Sequence, residues 1–143
     1  MKKYFLILIV FLFCCEFPLQ NNYIAKLNGE IISPPEFRLL MKKNRAMIYN
    51  NFYQKYSAED CTDFWTRSFN DEIPIEILKK KALDECVQIK VQQILAKDNN
   101  LVKSIRYSDF IMDYEKEQQR RKKAYKSKQV IFGPVELTEL GYF

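Results

Sequence analysis

The apolar positions of this chain fall into blocks of different rhythm, and each rhythm predicts a different element. At the start, Lys2 and Lys3 precede an unbroken apolar run from Tyr4 to Phe13. A positive stretch followed by a run too short to span a bilayer has the form of a secretory signal rather than part of a fold. Asn21 and Asn22 then read as a linker. Tyr23-Ile24-Ala25-Lys26-Leu27 and Glu30-Ile31-Ile32 flank Asn28-Gly29. Asn-Gly favours the positive φ angles of a two-residue hairpin turn, so two short antiparallel strands are predicted here. Two strands alone are marginal and must lean on another element.

From Ser33 onward the rhythm becomes helical. Ser33 can cap, Pro34 suits the first turn where an N–H has no partner, and Glu36 completes a capping box. This helix is expected to reach Tyr49 or beyond, with Phe37, Leu40, Met41, Met47 and Ile48 available for one side. Ser57-Ala58-Glu59-Asp60 reads as a second start, for a short segment carrying Phe64, Trp65 and Phe69, three aromatics that suit a core. Pro74 opens the clearest helix, to about Lys97. There Ile75, Leu78, Ala82, Cys86 and Ile89 recur at steps of three and four, and Leu83, Val87, Val91 and Ile94 widen the stripe. A further helix is expected from Asp109 to about Ser127, a short extended piece at Val130-Ile131-Phe132, and a last helix start at Thr138-Glu139. The fold class is therefore mainly α, a small N-terminal β-hairpin followed by about four helices.

Composition narrows the chemistry. The 143 residues suffice for one domain with one core. There is no histidine, which removes every Ser/His/Asp or Cys/His nucleophile and every histidine-bearing zinc site. No Cys-x-x-Cys spacing and no purposeful carboxylate pair takes its place. Asp60, Asp63, Asp71 and Glu72 read as caps and surface charge. Nothing implies a cofactor or a metal, and no residue stands out as catalytic. Cys61 and Cys86 lie beyond the signal; a bridge would need their Cα atoms within about 7 Å, and Cys86 on the apolar stripe reads as a buried thiol.

The strongest charge feature is Arg120-Arg121-Lys122-Lys123, continued by Lys126 and Lys128. Such a run can meet nucleic-acid phosphates or anionic lipid head groups, but at a helix C-terminus it reads first as a solvated face favoured by the helix dipole. The overall excess of basic residues is slight, and a nucleic-acid partner is not expected. Leu12-Phe13-Cys14-Cys15 resembles a relaxed bacterial lipoprotein signal with Cys15 as the lipidated residue, and two acyl chains there would anchor the chain to a membrane. Ordinary cleavage before Asn21 is the alternative.

The order of these pieces resembles the opening of SurA-like and PrsA-like extracytoplasmic foldases. Those begin with a signal, a strand, an Asn-Gly-type turn and an Ile-Ser entry into a helix, as in Ile24 to Ser33 followed by Phe37 here. The stretches Ile73 to Glu85 and Val87 to Ala96, and Tyr107-Ser108-Asp109-Phe110, are similar to later parts of the same helical domain. The resemblance covers 23–143, preceded by a signal at 1–15 and a linker at 16–22. It implies an extracytoplasmic domain, in the periplasm or cell envelope, that holds unfolded or exported polypeptides, with Phe52, Tyr53, Tyr56, Phe64 and Trp65 as candidate contacts. Many members also carry a parvulin domain that isomerises X-Pro bonds, and this chain contains no segment resembling one. A catalytic isomerase subunit and an envelope lipoprotein with a structural role are the alternatives. The brevity of the last helix predicts an incomplete domain, with Ile75, Leu78 and Ala82 left uncovered on the Pro74 helix.

Overall fold

A computed structural model describes residues 22–143. The expected export signal at 1–15, with Cys15, and all but the last residue of the expected linker lie outside the described residues. Within them the order is β1 (Ala25–Leu27), β2 (Glu30–Ile32), α1 (Pro34–Tyr56), α2 (Pro74–Asp98), α3 (Tyr107–Lys126) and α4 (Glu139–Tyr142). The fold is mainly helical with one two-stranded antiparallel hairpin, as the sequence pattern predicts.

Leu27 pairs with Glu30, so Asn28 and Gly29 alone make the turn. Both take positive φ, 49° and 84°, as a two-residue hairpin of this twist requires. Ile32 at the end of β2 is fully buried. Ser33 then starts α1 with a complete capping box: its Oγ accepts from the Glu36 N–H, and Glu36 Oε2 accepts from the Ser33 N–H at 3.2 Å.

The two long helices bury matching rows. In α1 the row is Glu36, Leu40, Asn44, Ile48 and Phe52, with Leu39 beside it. In α2 it is Pro74, Leu78, Ala82, Cys86 and Lys90. Both rows step by four residues, the spacing of the ridge that helices interdigitate when they pack. The start of α1 meets the end of α2, through Glu36 and Lys90, and the end of α1 meets the approach to α2, through Lys55 and Glu72. The pair is therefore antiparallel.

Two hydrophobic clusters lie along this seam. Ile48, Phe52, Ala58, Phe64 and Leu78 form one, with Trp65 and Phe69 packed against it. Ile32, Leu40, Ala82 and Cys86 form the other, where Phe143 also packs. Between and beyond them run polar rungs. Asn44 Nδ2 donates to Glu85 Oε2 at 3.0 Å, and Lys55 and the Tyr56 hydroxyl both reach Glu72. Burial works to raise the Glu85 carboxyl, but hydrogen bonds from Asn44 and Lys43 outweigh it and hold the group below the usual carboxylate range.

Four expectations need correction. Leu78 and Ala82 are not uncovered: at 3% and 0% exposure they lie beneath α1. The more open apolar positions of α2 are Val91 and Leu95, near its far end. Met47 points outward at 40% exposure, because it stands off the row of four-residue steps. The segment after Ser57 forms turns rather than a helix. Ser57 itself takes the left-handed conformation, φ 51°, and ends α1. Cys61 and Asp63 carbonyls accept from Phe64, Thr66 and Arg67, which closes one turn that Phe69 and Glu72 terminate by pairing with each other. Residues 130–132 pair with no strand.

Helix α3 begins at Tyr107, two residues before the expected start, because Arg106 reaches Asp109 and holds the first turn. Both α2 and α3 end in the same hydrogen-bonded reversal. Leu101 and Gln129 donate back to Ala96 and Ala124, and Asn100 and Lys128 sit at φ 58° and 54°.

Candidate functional site

The five aromatics proposed from sequence do not form one surface. Phe52 and Phe64 are buried, at 3% and 0% exposure. They stack edge-on with their rings 6.0 Å apart, and Phe64 meets Trp65 and Tyr49 in the same cluster. Tyr56 is half-buried against Phe52 and Phe69 and spends its hydroxyl on Glu72. Trp65 is half-buried with the Arg45 guanidinium over its ring at 4.9 Å. Tyr53 alone stands open, at 53% exposure. The other four build the end of the α1–α2 seam.

The larger concavity lies elsewhere, between the hairpin and start of α1 on one side and α3 with α4 on the other. It encloses about 1110 Å³. Ile31, Pro34, Pro35, Leu39, Ile111 and Leu140 give it an apolar floor. Arg38, Lys42 and Arg106 stand on its rim, with Glu139 as the acidic member. The capping box is what places this floor. Fixing Ser33 at the helix entrance turns the chain so that Ile31 faces the groove while Ile32 enters the core.

The opposite wall is held by the C-terminal segment. The Tyr114 hydroxyl and Gln118 Nε2 both donate to the Leu137 carbonyl, at 2.9 and 2.6 Å, and the Leu137 N–H donates back to Gln118 Oε1 at 2.9 Å. Tyr107 hydrogen-bonds Glu139. Tyr107, Phe110, Tyr114, Tyr142 and Phe143 make a continuous aromatic cluster beneath α4. Thr138 caps that short helix through its Oγ1, as its sequence predicts.

A second cavity, about 560 Å³, opens behind this cluster and reaches Glu36 and Gln93. Gln93 Oε1 is the one buried side-chain polar atom among the described residues with no hydrogen-bond partner. Glu36 is already satisfied by Lys90 and by the Ser33 N–H. No group of three metal-ligating side chains occurs among the described residues.

Both thiols among the described residues are free, Cys61 exposed and Cys86 buried. Burial, and secondarily the Glu36 charge, pushes the Cys86 thiol up to about 12, so it is no nucleophile at neutral pH. Cys61 is also raised, by its hydrogen bond with Asp63.

Sequence reasoning missed the groove because its walls come from two stretches far apart in the chain, 22–42 and 106–140. The signal that could have pointed to it was the pair Pro34-Pro35, rigid apolar side chains on a first helical turn whose next inward residues are Glu36 and Leu39. Compared with protein-family models, with curated proteins and with solved structures, the chain matches none.

Proposed function

We propose that this chain is an extracytoplasmic polypeptide-holding domain that takes extended, unfolded segments into the groove between α1 and α3–α4. The observation that carries the reading is the composition of that groove. It has an apolar floor with a cationic rim, and at about 1110 Å³ it is at the upper end of the volumes usual for small-molecule pockets. Such a surface rewards apolar side chains of varied shape, while Arg38, Lys42 and Arg106 favour backbone carbonyls and acidic flanks over one fixed ligand. The resemblance of the sequence to SurA-like and PrsA-like domains supports the same reading, and so does the export signal.

The test is binding of a fluorescent, permanently unfolded polypeptide rich in apolar and acidic residues, followed by anisotropy. Ile31 is 44% exposed, so Ile31→Glu leaves the core alone while placing a charge on the groove floor. Affinity is expected to fall about tenfold or more, the scale set by losing an apolar contact and adding a desolvated charge. Tyr53→Glu, on the far end of α1, is expected to leave affinity unchanged. The reverse ranking, or no effect of Ile31→Glu, overturns the reading. Export is tested separately: fractionation is expected to find the chain outside the cytoplasm, and a cytoplasmic chain retaining Met1 contradicts it.

A further inference from the structure

We propose that the C-terminal end of α3, with the loop that follows it, is a docking surface for anionic lipid membranes. From Gln118 to Val135 the sequence carries Arg120, Arg121, Lys122, Lys123, Lys126 and Lys128 and not one acidic residue. The fold divides these cations into two groups. Arg120 and Arg121 share Glu117, at 2.6 and 2.8 Å, and Lys122 reaches Glu136 at 3.4 Å. Lys123, Lys126 and Lys128 are exposed and enter no ion pair among the described residues. A solvated helix end accounts for three free lysines. It does not account for what stands beside them.

The two most exposed large apolar side chains among the described residues are Phe132, at 87%, and Val130, at 82%. Both lie within four residues after Lys128, and Tyr125, 65% exposed, lies between Lys123 and Lys126. This arrangement is built rather than loose. Gln129 and Lys128 donate back to the Ala124 and Tyr125 carbonyls, which reverses the chain at the end of α3. Arg121 Nη1 then donates to the carbonyls of Phe132 and Pro134, at 2.9 and 2.8 Å, with its Nε on Glu117. The guanidinium takes up the loop's polar backbone while the Phe132 ring stays in water.

Free lysines beside a clamped loop that presents a phenylalanine and a valine match a membrane interface. Lysines meet lipid phosphates, and the apolar side chains enter the boundary below the head groups. Nucleic acid would reward the lysines and could stack on Phe132, but it offers nothing to Val130. No helix among the described residues is long and apolar enough to cross a membrane. Its orientation is defined, because the loop lies at the end of α3 remote from Tyr107 and Arg106, which line the groove at the start of that helix.

The full chain is tested with vesicles of phosphatidylcholine alone and of phosphatidylcholine mixed with phosphatidylglycerol. Because the N-terminal apolar run can itself enter lipid, the readout must be local to the loop. The indole introduced by Phe132→Trp is expected to shift to the blue and be quenched by brominated acyl chains in the anionic vesicles only. Trp65 in the wild-type chain supplies the unquenched baseline. The triple substitution Lys123→Gln, Lys126→Gln, Lys128→Gln in that background is expected to weaken the quenching response about tenfold to a hundredfold, from the contribution of each lysine at an anionic surface. High salt should act in the same direction. Absence of quenching, equal quenching in neutral vesicles, or indifference to the triple substitution overturns the proposal. So does a single-stranded oligonucleotide that binds through the same lysines and displaces the vesicles. Ile31→Glu is expected to leave the membrane response intact, which separates this surface from the groove.

Discussion

Lys90 places its ammonium 2.9 Å from Glu36 Oε1, and the two side chains are 1% and 2% exposed. This is a buried ion pair joining the start of α1 to the end of α2. Each partner has further support: Glu36 Oε2 accepts from the Ser33 N–H, and Lys90 approaches the Ile105 carbonyl at 3.4 Å. One carboxylate thus completes a helix cap and neutralises a lysine from another helix. It also fixes the height at which α2 meets the hairpin end of α1.

Lys90→Met is expected to be strongly destabilising, by about 3–5 kcal/mol, because it leaves the Glu36 carboxylate buried without its cation. Adding Glu36→Gln should recover much of that loss, since a neutral amide retains the cap and carries no charge to desolvate. Denaturant unfolding of the wild type, the single and the double variant measures this. A double variant as unstable as Lys90→Met alone would mean the ion pair is not what the core depends on.

The capping box, the Asn-Gly turn and most of the α2 row were legible because each is a local rule: a side chain meeting its own backbone, a backbone twist, a period. Lys90 was not. It occupies the fifth place of the row Pro74, Leu78, Ala82, Cys86, and a search for apolar periodicity passes over a lysine. The segment after Ser57 shows the opposite failure, where helix-start residues are present but Ser57 in the left-handed region turns the chain away. Aromatic composition pointed to Phe52 and Phe64 without saying which way they face, and packing turned them inward. The groove depends on Ile31 and Leu39 meeting Ile111 and Leu140, a relation that no sequence window contains.

Ser57 offers a test of that left-handed turn. At φ 51° a serine sits where L side chains cost about 1–2 kcal/mol, and glycine does not. Glycine's greater freedom in the unfolded chain returns part of the difference, about 0.5–1 kcal/mol. Ser57→Gly should therefore stabilise by up to about 1 kcal/mol and raise Tm by a few degrees. Ser57→Val should lower it, because a β-branched side chain is least tolerant of positive φ. Thermal melts followed by circular dichroism decide the sign.

The two described cysteines should differ in reactivity in the folded chain. Cys61 is exposed, while Cys86 is 1% exposed with its thiol pushed up to about 12. A maleimide at neutral pH should modify Cys61 and spare Cys86 until denaturant is added, as peptide mapping by mass spectrometry would show. Rapid native labelling of Cys86 would mean that α1 and α2 separate readily. The same mapping on protein recovered from an oxidising compartment should find no Cys61–Cys86 bridge.

Stability at low pH should register the Glu117 carboxylate that orients the Arg121 clamp. Glu117 is held down to about 2, first by its hydrogen bonds with Arg120 and then by those with Arg121. A carboxyl depressed in the folded state contributes stability that is fully present above its unfolded value, about 4.3, and is lost as pH falls through about 2. Between those limits the folded chain keeps Glu117 ionised while the unfolded chain takes up a proton. Stability should therefore decline across this window, and Glu117→Gln should make the decline shallower. Substitution also removes the charge that orients Arg121, whose Nη1 holds the Phe132 and Pro134 carbonyls. At neutral pH, amide exchange in 128–134 should accelerate in Glu117→Gln while exchange in α1 and α2 stays as in the wild type. An unchanged acid slope together with unchanged loop exchange would show that Arg121 keeps its place without Glu117.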